Sequence, residues 1–282
     1  MLRTRIITAV FLLTVFLFAL FIFPPLGWVA FATLVSAVAA WEWGGLMRLG
    51  SLARLIVAII LVLICTIIGF WQPAALGISP QFSDSAWAIG RWFYIPSAIF
   101  WLILAPLWIR FRWLLPKSAV GMLIGALLIF PTWLALIQLR QASPFVLLII
   151  LAMIWLADIA AYFFGRAFGK HKLAPSISPG KTWEGAIGGE VAVFFLGTLL
   201  LPLLPNFFPN TLTVSYVLLS LVLVVLTAIS IVGDLFESML KRQAGLKDSS
   251  NVLPGHGGIL DRIDSQTSTL PLVALAWLLT LA

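Results

Sequence analysis

Eight of the ten acidic residues in this chain lie between positions 158 and 264, and only Glu42 and Asp84 come earlier. They fall mostly in two polar segments. In the segment 233–266, Asp234, Glu237 and Lys241 are spaced to share one helix face, and Asp261 and Asp264 share another. Two acidic helix ends flanking a turn rich in glycine and basic residues suit a magnesium site, because hard Mg²⁺ takes one or two carboxylates together with phosphate oxygens and water. Lys241, Arg242, Lys247 and Arg262 supply the charge to offset further phosphate oxygens. Singly these residues have plainer readings: His256 as a turn histidine, Asp248 as the partner of Lys247. Together they point to metal-assisted chemistry on phosphates.

The first segment, 165–184, follows an apolar run that carries Asp158, Tyr162 and Arg166 at i, i+4 and i+8, one stripe on a helix. A carboxylate inside an apolar run is costly, so Asp158 is read as functional, against the simpler alternative that it pairs with Arg166. Ser178-Pro-Gly-Lys181-Thr182 invites comparison with a phosphate-binding P-loop, but Pro175 stands where that pattern requires glycine. The local physics still favours an anion there: a glycine that lets backbone N–H groups approach, the charge of Lys181, and a helix start near Gly185. No Cys/His zinc spacing and no G-x-S-x-G nucleophile elbow occurs.

The elements that must hold these residues are membrane helices. Of the 282 residues 62% are apolar and 10% charged, against about 25% charged in a soluble domain. Mean hydropathy is +1.12. This excludes a disordered chain, a disulfide scaffold and a soluble nucleic-acid binder, and Cys65, the single cysteine, has no partner for an internal disulfide. Apolar runs at 6–23, 27–43, 55–71, 92–109, 118–139, 144–164, 185–204 and 214–232 are long enough to cross a bilayer, and 267–282 supplies a shorter ninth. The expected fold is an all-α polytopic integral membrane protein of about nine transmembrane helices. The run 6–23 is longer than a usual signal core and lacks an Ala-x-Ala site, so it reads as a retained helix.

With the N-terminus in the cytoplasm, fifteen of the seventeen basic residues fall in inner segments, and only Arg91 and Arg140 fall outside. The net charge of +7 is therefore mostly topology rather than a nucleic-acid surface. Nearly all thirteen tryptophans, among them Trp71, Trp87, Trp92, Trp108 and Trp113, read as interfacial anchors. Residues 1–140 read as transmembrane scaffold. Residues 141–282 read as the catalytic region, with cytoplasmic motif segments 165–184 and 233–266.

The stretch from Ser238-x-Leu-Lys241-Arg242 through Lys247-Asp248-x-Ser250 to Leu253-Pro-x-His256-Gly257-Gly258-Ile-x-Asp261-Arg262-Ile-Asp264 resembles the signature of the phosphatidate cytidylyltransferases, the CDP-diacylglycerol synthases, with no departure across 27 positions. Gly165-Arg-x-Phe-Gly169-Lys-His171-Lys-Leu-x-Pro, Ser178-Pro-Gly-Lys-Thr-Trp-x-Gly185 and the Ala-Trp-Glu42-Trp segment extend the likeness to the whole chain, closest to a bacterial inner-membrane type. The resemblance implies a Mg²⁺-dependent reaction in which CTP and phosphatidate give CDP-diacylglycerol and diphosphate, by in-line attack of the lipid phosphate on the CTP α-phosphorus. It also implies a second cation such as K⁺ and a homodimer.

On those positions, Asp234, Asp261, Asp264 and Glu237 are expected at the metal, and Asp234, Asp261, Asp264, Lys241 and Arg262 in catalysis. Ser238, Arg242, Lys247, Asp248, Ser249, His256, Gly257, Gly258, Lys181, Asp158 and Arg166 are expected at substrate. Two rival classes use the same residues differently. A transporter would use Asp158, Glu190 and Glu42 as pathway groups, although the halves show no internal repeat. A lipid-alcohol kinase would release a diphosphate nucleotide rather than diphosphate.

Overall fold

A computed structural model describes residues 2–79, 84–200 and 216–281. The chain is 81% helical, and nine long helices stand among the described residues. In chain order they are α1 (Leu2–Ile22), α2 (Pro25–Leu46), α3 (Ser51–Trp71), α4 (Ala88–Phe111), α5 (Ala119–Ala142), α6 (Pro144–Phe168), α7 (Trp183–Leu200), α8 (Tyr216–Ala244) and α9 (Leu260–Leu281). All but α9 are long and apolar enough to cross a membrane. The link expected between the seventh and eighth spans lies outside the described residues.

Local chemistry sets the boundaries. Proline cannot continue α1, and Pro25 opens α2 at a position where its missing N–H costs nothing. The carbonyls freed at the end of α1 are taken by Arg140 of α5, which donates to Leu20 O at 2.9 Å and to Phe23 O at 2.5 Å. Pro96 interrupts the backbone ladder of α4, which then runs through one wide π-turn at Phe100–Leu104.

Burial divides the bundle into a centre and a shell. Of the apolar window of α5, 67% is buried, against 11% in α1 and 17% in α3, so α5 is the central helix while α1 and α3 turn most of their surface outward. One continuous core joins residues from α2, α4, α5 and α6 to residues from α8 and α9. The parts expected as scaffold and catalytic region are thus packed on each other.

Several tryptophans differ from expectation. Trp71 and Trp92 are 81% and 80% exposed, as interfacial anchors would be. Trp28, Trp43, Trp87, Trp101, Trp108 and Trp133 are instead buried core residues. A buried indole needs an acceptor for its N–H, and five of the six find one within the bundle, among them Trp28 on Leu136 O, Trp43 on Gly121 O and Trp133 on the Thr33 hydroxyl, while the Trp101 N–H meets none.

Two differences concern the motif segments. The eighth helix continues to Ala244, twelve residues past the apolar run, and the ninth begins at Leu260, seven residues before its run. Hydropathy misses both extensions because they are polar. The polar half of α9 is nonetheless buried, with Ser265, Gln266, Thr267, Ser268 and Thr269 each at most 6% exposed. Their hydroxyls are satisfied at close range: Ser268 and Thr269 donate to Ser265 O, and Thr267 to Asp264 O. The only segment of 233–266 without helix is therefore 245–259.

The segment after α6 folds as a small antiparallel hairpin, β1 (Lys172–Ala174) with β2 (Ser178–Thr182), pairing Lys172 with Thr182 and Ala174 with Ser178. Ser178–Thr182 is extended strand, in which successive N–H groups point to opposite sides. The backbone anion cradle expected there is therefore not formed, and Lys181 is what remains to meet an anion. Thr182 instead accepts the N–H of Gly185 at 3.1 Å, starting α7.

Candidate active site

Every segment assigned to the inner side gathers at one end of the bundle. Thr8 of α1 donates to Pro254 O, Arg48 after α2 donates to Gln243 O, and Gln243 exchanges hydrogen bonds with Trp113 O and Leu115 N after α4. Arg112 donates to the Ser176 hydroxyl at the tip of the hairpin at 2.8 Å. At the opposite end, Arg140 and Gln141 meet the α1–α2 turn, Trp87 and Ala74. The charge count along the sequence and the contacts in three dimensions divide the chain the same way.

At the polar end, three helices carry carboxylates to one place and the hairpin brings a lysine to them. Helices α6 and α7 cross closely because Gly185 and Gly189 leave room: a Cβ on either would lie 2.6 Å from Ala161 O or 2.8 Å from Ala157 O. Asp158 of α6 lies within electrostatic range of Asp234 of α8 and Lys181 of β2. Asp264 of α9 lies within the same range of Asp234 and Asp158. Arg166 donates instead to Tyr162, at 3.4 Å, so the simple Asp158–Arg166 pair is not made.

Two lysines hold this acidic centre. Lys181 Nζ stands 2.5 Å from Asp234 Oδ2, joining the two motif segments directly, while the Ser238 hydroxyl donates to the other Asp234 oxygen at 3.2 Å. Lys241 is buried between Glu237 at 2.6 Å and Asp261 at 2.5 Å. Asp158, Asp234, Glu237, Asp261 and Asp264 thus face Lys181 and Lys241, leaving an excess of negative charge that favours a bound cation.

The donor set fits a hard cation such as Mg²⁺, being made of carboxylates alone. Among the described residues, however, no three acidic, histidine or cysteine side chains converge on one ion. A cation here would take one or two carboxylates and complete its shell with phosphate oxygens and water, which is the usual habit of Mg²⁺.

Asp261 differs from its neighbours. Its Oδ2 accepts the N–H groups of Ser249 and Gly258, both at 2.8 Å, and faces the Ser249 hydroxyl at 3.0 Å, while Oδ1 meets Lys241. It pins the 245–259 loop to α9. Ser249, expected at substrate, is 4% exposed and spends its hydroxyl on carboxylates. Gly257 takes a positive φ of 81° beneath Asp248, and Gly258 packs where a side chain would not fit. Arg242, Lys247 and Arg262 are exposed cations in the same polar segment, Arg262 donating to His256 O at 3.1 Å.

One residue of this site lies in the part read as scaffold. Glu42 of α2 is fully buried and reaches into the 245–260 segment. It accepts from Ile259 N (3.0 Å), Leu260 N (2.6 Å), the Ser250 hydroxyl (2.6 Å) and the Ser249 hydroxyl (3.1 Å). Its signals in the sequence are that it is a carboxylate at the end of an apolar run and that its Ala-Trp-Glu42-Trp segment shares the family likeness, and neither points to the 245–260 segment. His171 and Glu184 also pair, at 2.6 Å, across the base of the hairpin.

Fold and site together define a multi-pass membrane protein with a centre of paired acidic and basic groups at one end of its helix bundle. The chain belongs to the cytidylyltransferase family, whose profile matches residues 3–280, and it is thereby a nucleotidyltransferase. It is similar to the phosphatidate cytidylyltransferase of Haemophilus influenzae, 35% identical over 96% of each chain. It is likewise similar to that of Pseudomonas aeruginosa, 37% identical over 98% of this chain and 97% of the relative. The protein of that name from Staphylococcus haemolyticus is 49% identical over 43% of this chain and 44% of its own.

Proposed function

We propose that the protein joins CTP and phosphatidate to give CDP-diacylglycerol and diphosphate in phospholipid synthesis, at the cytoplasmic face of a bacterial inner membrane. The observation that carries this reading is the Lys181–Asp234 bridge. It brings both motif segments to one acidic centre, at the end of the bundle where the basic residues collect. A lipid substrate stays in the bilayer while CTP arrives from the cytoplasm, so a site shared by both belongs at the inner interface, with the N-terminus inside.

The chemistry needs little from the protein beyond placement and charge. A phosphate oxygen of phosphatidate, already anionic, attacks the α-phosphorus of CTP. A new P–O–P bond forms, and the bond to the β-phosphate breaks in line, its electron pair leaving with diphosphate. No covalent enzyme intermediate and no general base is required. Lys181, Arg242, Lys247 and Arg262 hold the phosphates and offset their charge, and Lys241 fixes Glu237 and Asp261. Ser238, His256 and Asp248 orient substrate around them, with Arg166 at the hairpin side. Asp234 and Asp264, with Glu237, Asp158 and Asp261 around them, would hold Mg²⁺, which when bound supplies Lewis-acid polarisation of phosphoryl oxygens. A second cation such as K⁺ and a homodimer belong to the same reading.

The test is transfer of label from [α-³²P]CTP into an extractable lipid by purified protein with phosphatidate and Mg²⁺, together with diphosphate release. An unlabelled phosphorylated lipid with labelled CDP as the other product would point to kinase chemistry, because γ-phosphoryl transfer leaves the α-label in the nucleotide. No labelled lipid from folded protein would overturn the proposal.

A further inference from the structure

We infer that Glu42 is a positioning residue for the catalytic centre: reaching from α2, it fixes the first turn of α9 and so sets where Asp261 and Asp264 stand. This rests on the function proposed above. The first N–H groups of a helix have no partner within the helix, and its N-terminus favours a negative charge. Most helices meet this need with a side chain from just before the first turn. In α9 the need is met from a remote part of the chain, by one fully buried carboxylate.

The geometry leaves Glu42 no other role. Each oxygen faces one backbone N–H and one hydroxyl: Oε1 has Ile259 N and Ser250, and Oε2 has Leu260 N and Ser249. Fully buried and ringed by these four groups, the two oxygens have no open side for substrate or cation. The Ser249 hydroxyl has a single proton and stands 3.1 Å from Glu42 and 3.0 Å from Asp261, so it ties the two carboxylates together, while its N–H is fixed on Asp261. Gly258 closes the arrangement, because a Cβ there would collide with both Glu42 and Ser249.

On the other side of the α2–α3 turn, Arg54 stacks over Trp41 at 3.6 Å and donates to Trp41 O, holding the end of α2 from which Glu42 projects. The path from α2 to the acidic centre is therefore a chain of hydrogen bonds.

A glutamine at this position keeps the shape but presents an NH₂ group to two of the four donors. Losing hydrogen bonds to a buried charged group commonly amounts to a factor of about 10 to 100 in an equilibrium or rate. For Glu42→Gln the expected result, per folded molecule, is a kcat about 10- to 100-fold lower, with KM for CTP and for phosphatidate within about threefold of wild type. Amide hydrogen exchange across residues 258–264 should speed up while the hairpin is unchanged. Ser250→Ala, which removes one donor from Oε1, should shift both readings the same way by a smaller amount, and it carries the test should Glu42→Gln fail to fold. Wild-type kcat in either folded variant, or unchanged exchange at the start of α9, would overturn the role. Exchange reads the role without any turnover. An inactive wild-type protein would therefore count against the proposed reaction and leave the positioning role to be judged by exchange alone.

Discussion

Lys181 of the hairpin and Asp234 of α8 meet at 2.5 Å, each about a quarter exposed, and this pair closes the two motif segments on each other. A partly exposed ion pair of this kind contributes little to folding, on the order of 1 kcal/mol. Its value is in placement. Lys181→Ala should therefore leave the melting temperature nearly unchanged while lowering turnover at least about 100-fold. A variant with normal turnover would remove Lys181 from the site.

Asp261→Asn changes one oxygen of a carboxylate that accepts from Lys241, Ser249 and Gly258. Lys241 keeps Glu237, so no buried charge is orphaned and the protein should still fold and insert. Turnover should nevertheless be lost, because the asparagine NH₂ faces either Lys241 or two backbone N–H groups. Label transfer at the wild-type rate would overturn the assignment.

Gly257 has a φ of 81°, and a Cβ on it would lie 2.7 Å from Asp261 Oδ2. Gly257→Ala should lower stability by about 1–2 kcal/mol from the backbone term alone. It should depress kcat further through Asp261. Thermal melts beside single-turnover rates separate the two effects, and a fully active, equally stable variant would contradict the geometry.

If the excess carboxylates hold Mg²⁺ with the help of substrate phosphates, chelation should stop label transfer and added Mg²⁺ should restore it. Because substrate supplies part of the coordination shell, CTP should tighten Mg²⁺ binding to the protein. Sustained turnover in protein stripped of divalent ions would refute the cation assignment.

The orientation is open to labelling, since Cys65, the chain's single cysteine, is buried. In intact cells, Gln72→Cys should react with an impermeant thiol reagent, and Asn251→Cys should react only after the membrane is opened. Both positions are exposed and stand at opposite ends of the bundle. The reverse pattern would invert the topology.

The sequence by itself determined the membrane class, the approximate spans and which segments share an end. Hydropathy and charge placement act through the bilayer, a solvent that reads each residue largely by its own type. It also marked Asp234, Lys241, Asp261 and Asp264, because their helical spacing is local. Tertiary structure decided the rest. Trp43 and Trp133 became core rather than interface because a neighbouring helix offers an acceptor for each indole. The polar half of α9 became buried helix because its hydroxyls bond back to their own turn. Glu42 joined the site because α2 passes the start of α9. A carboxylate's partners more than two hundred residues away leave no periodicity to read, and only the packing of the helices brings them within 2.6 Å.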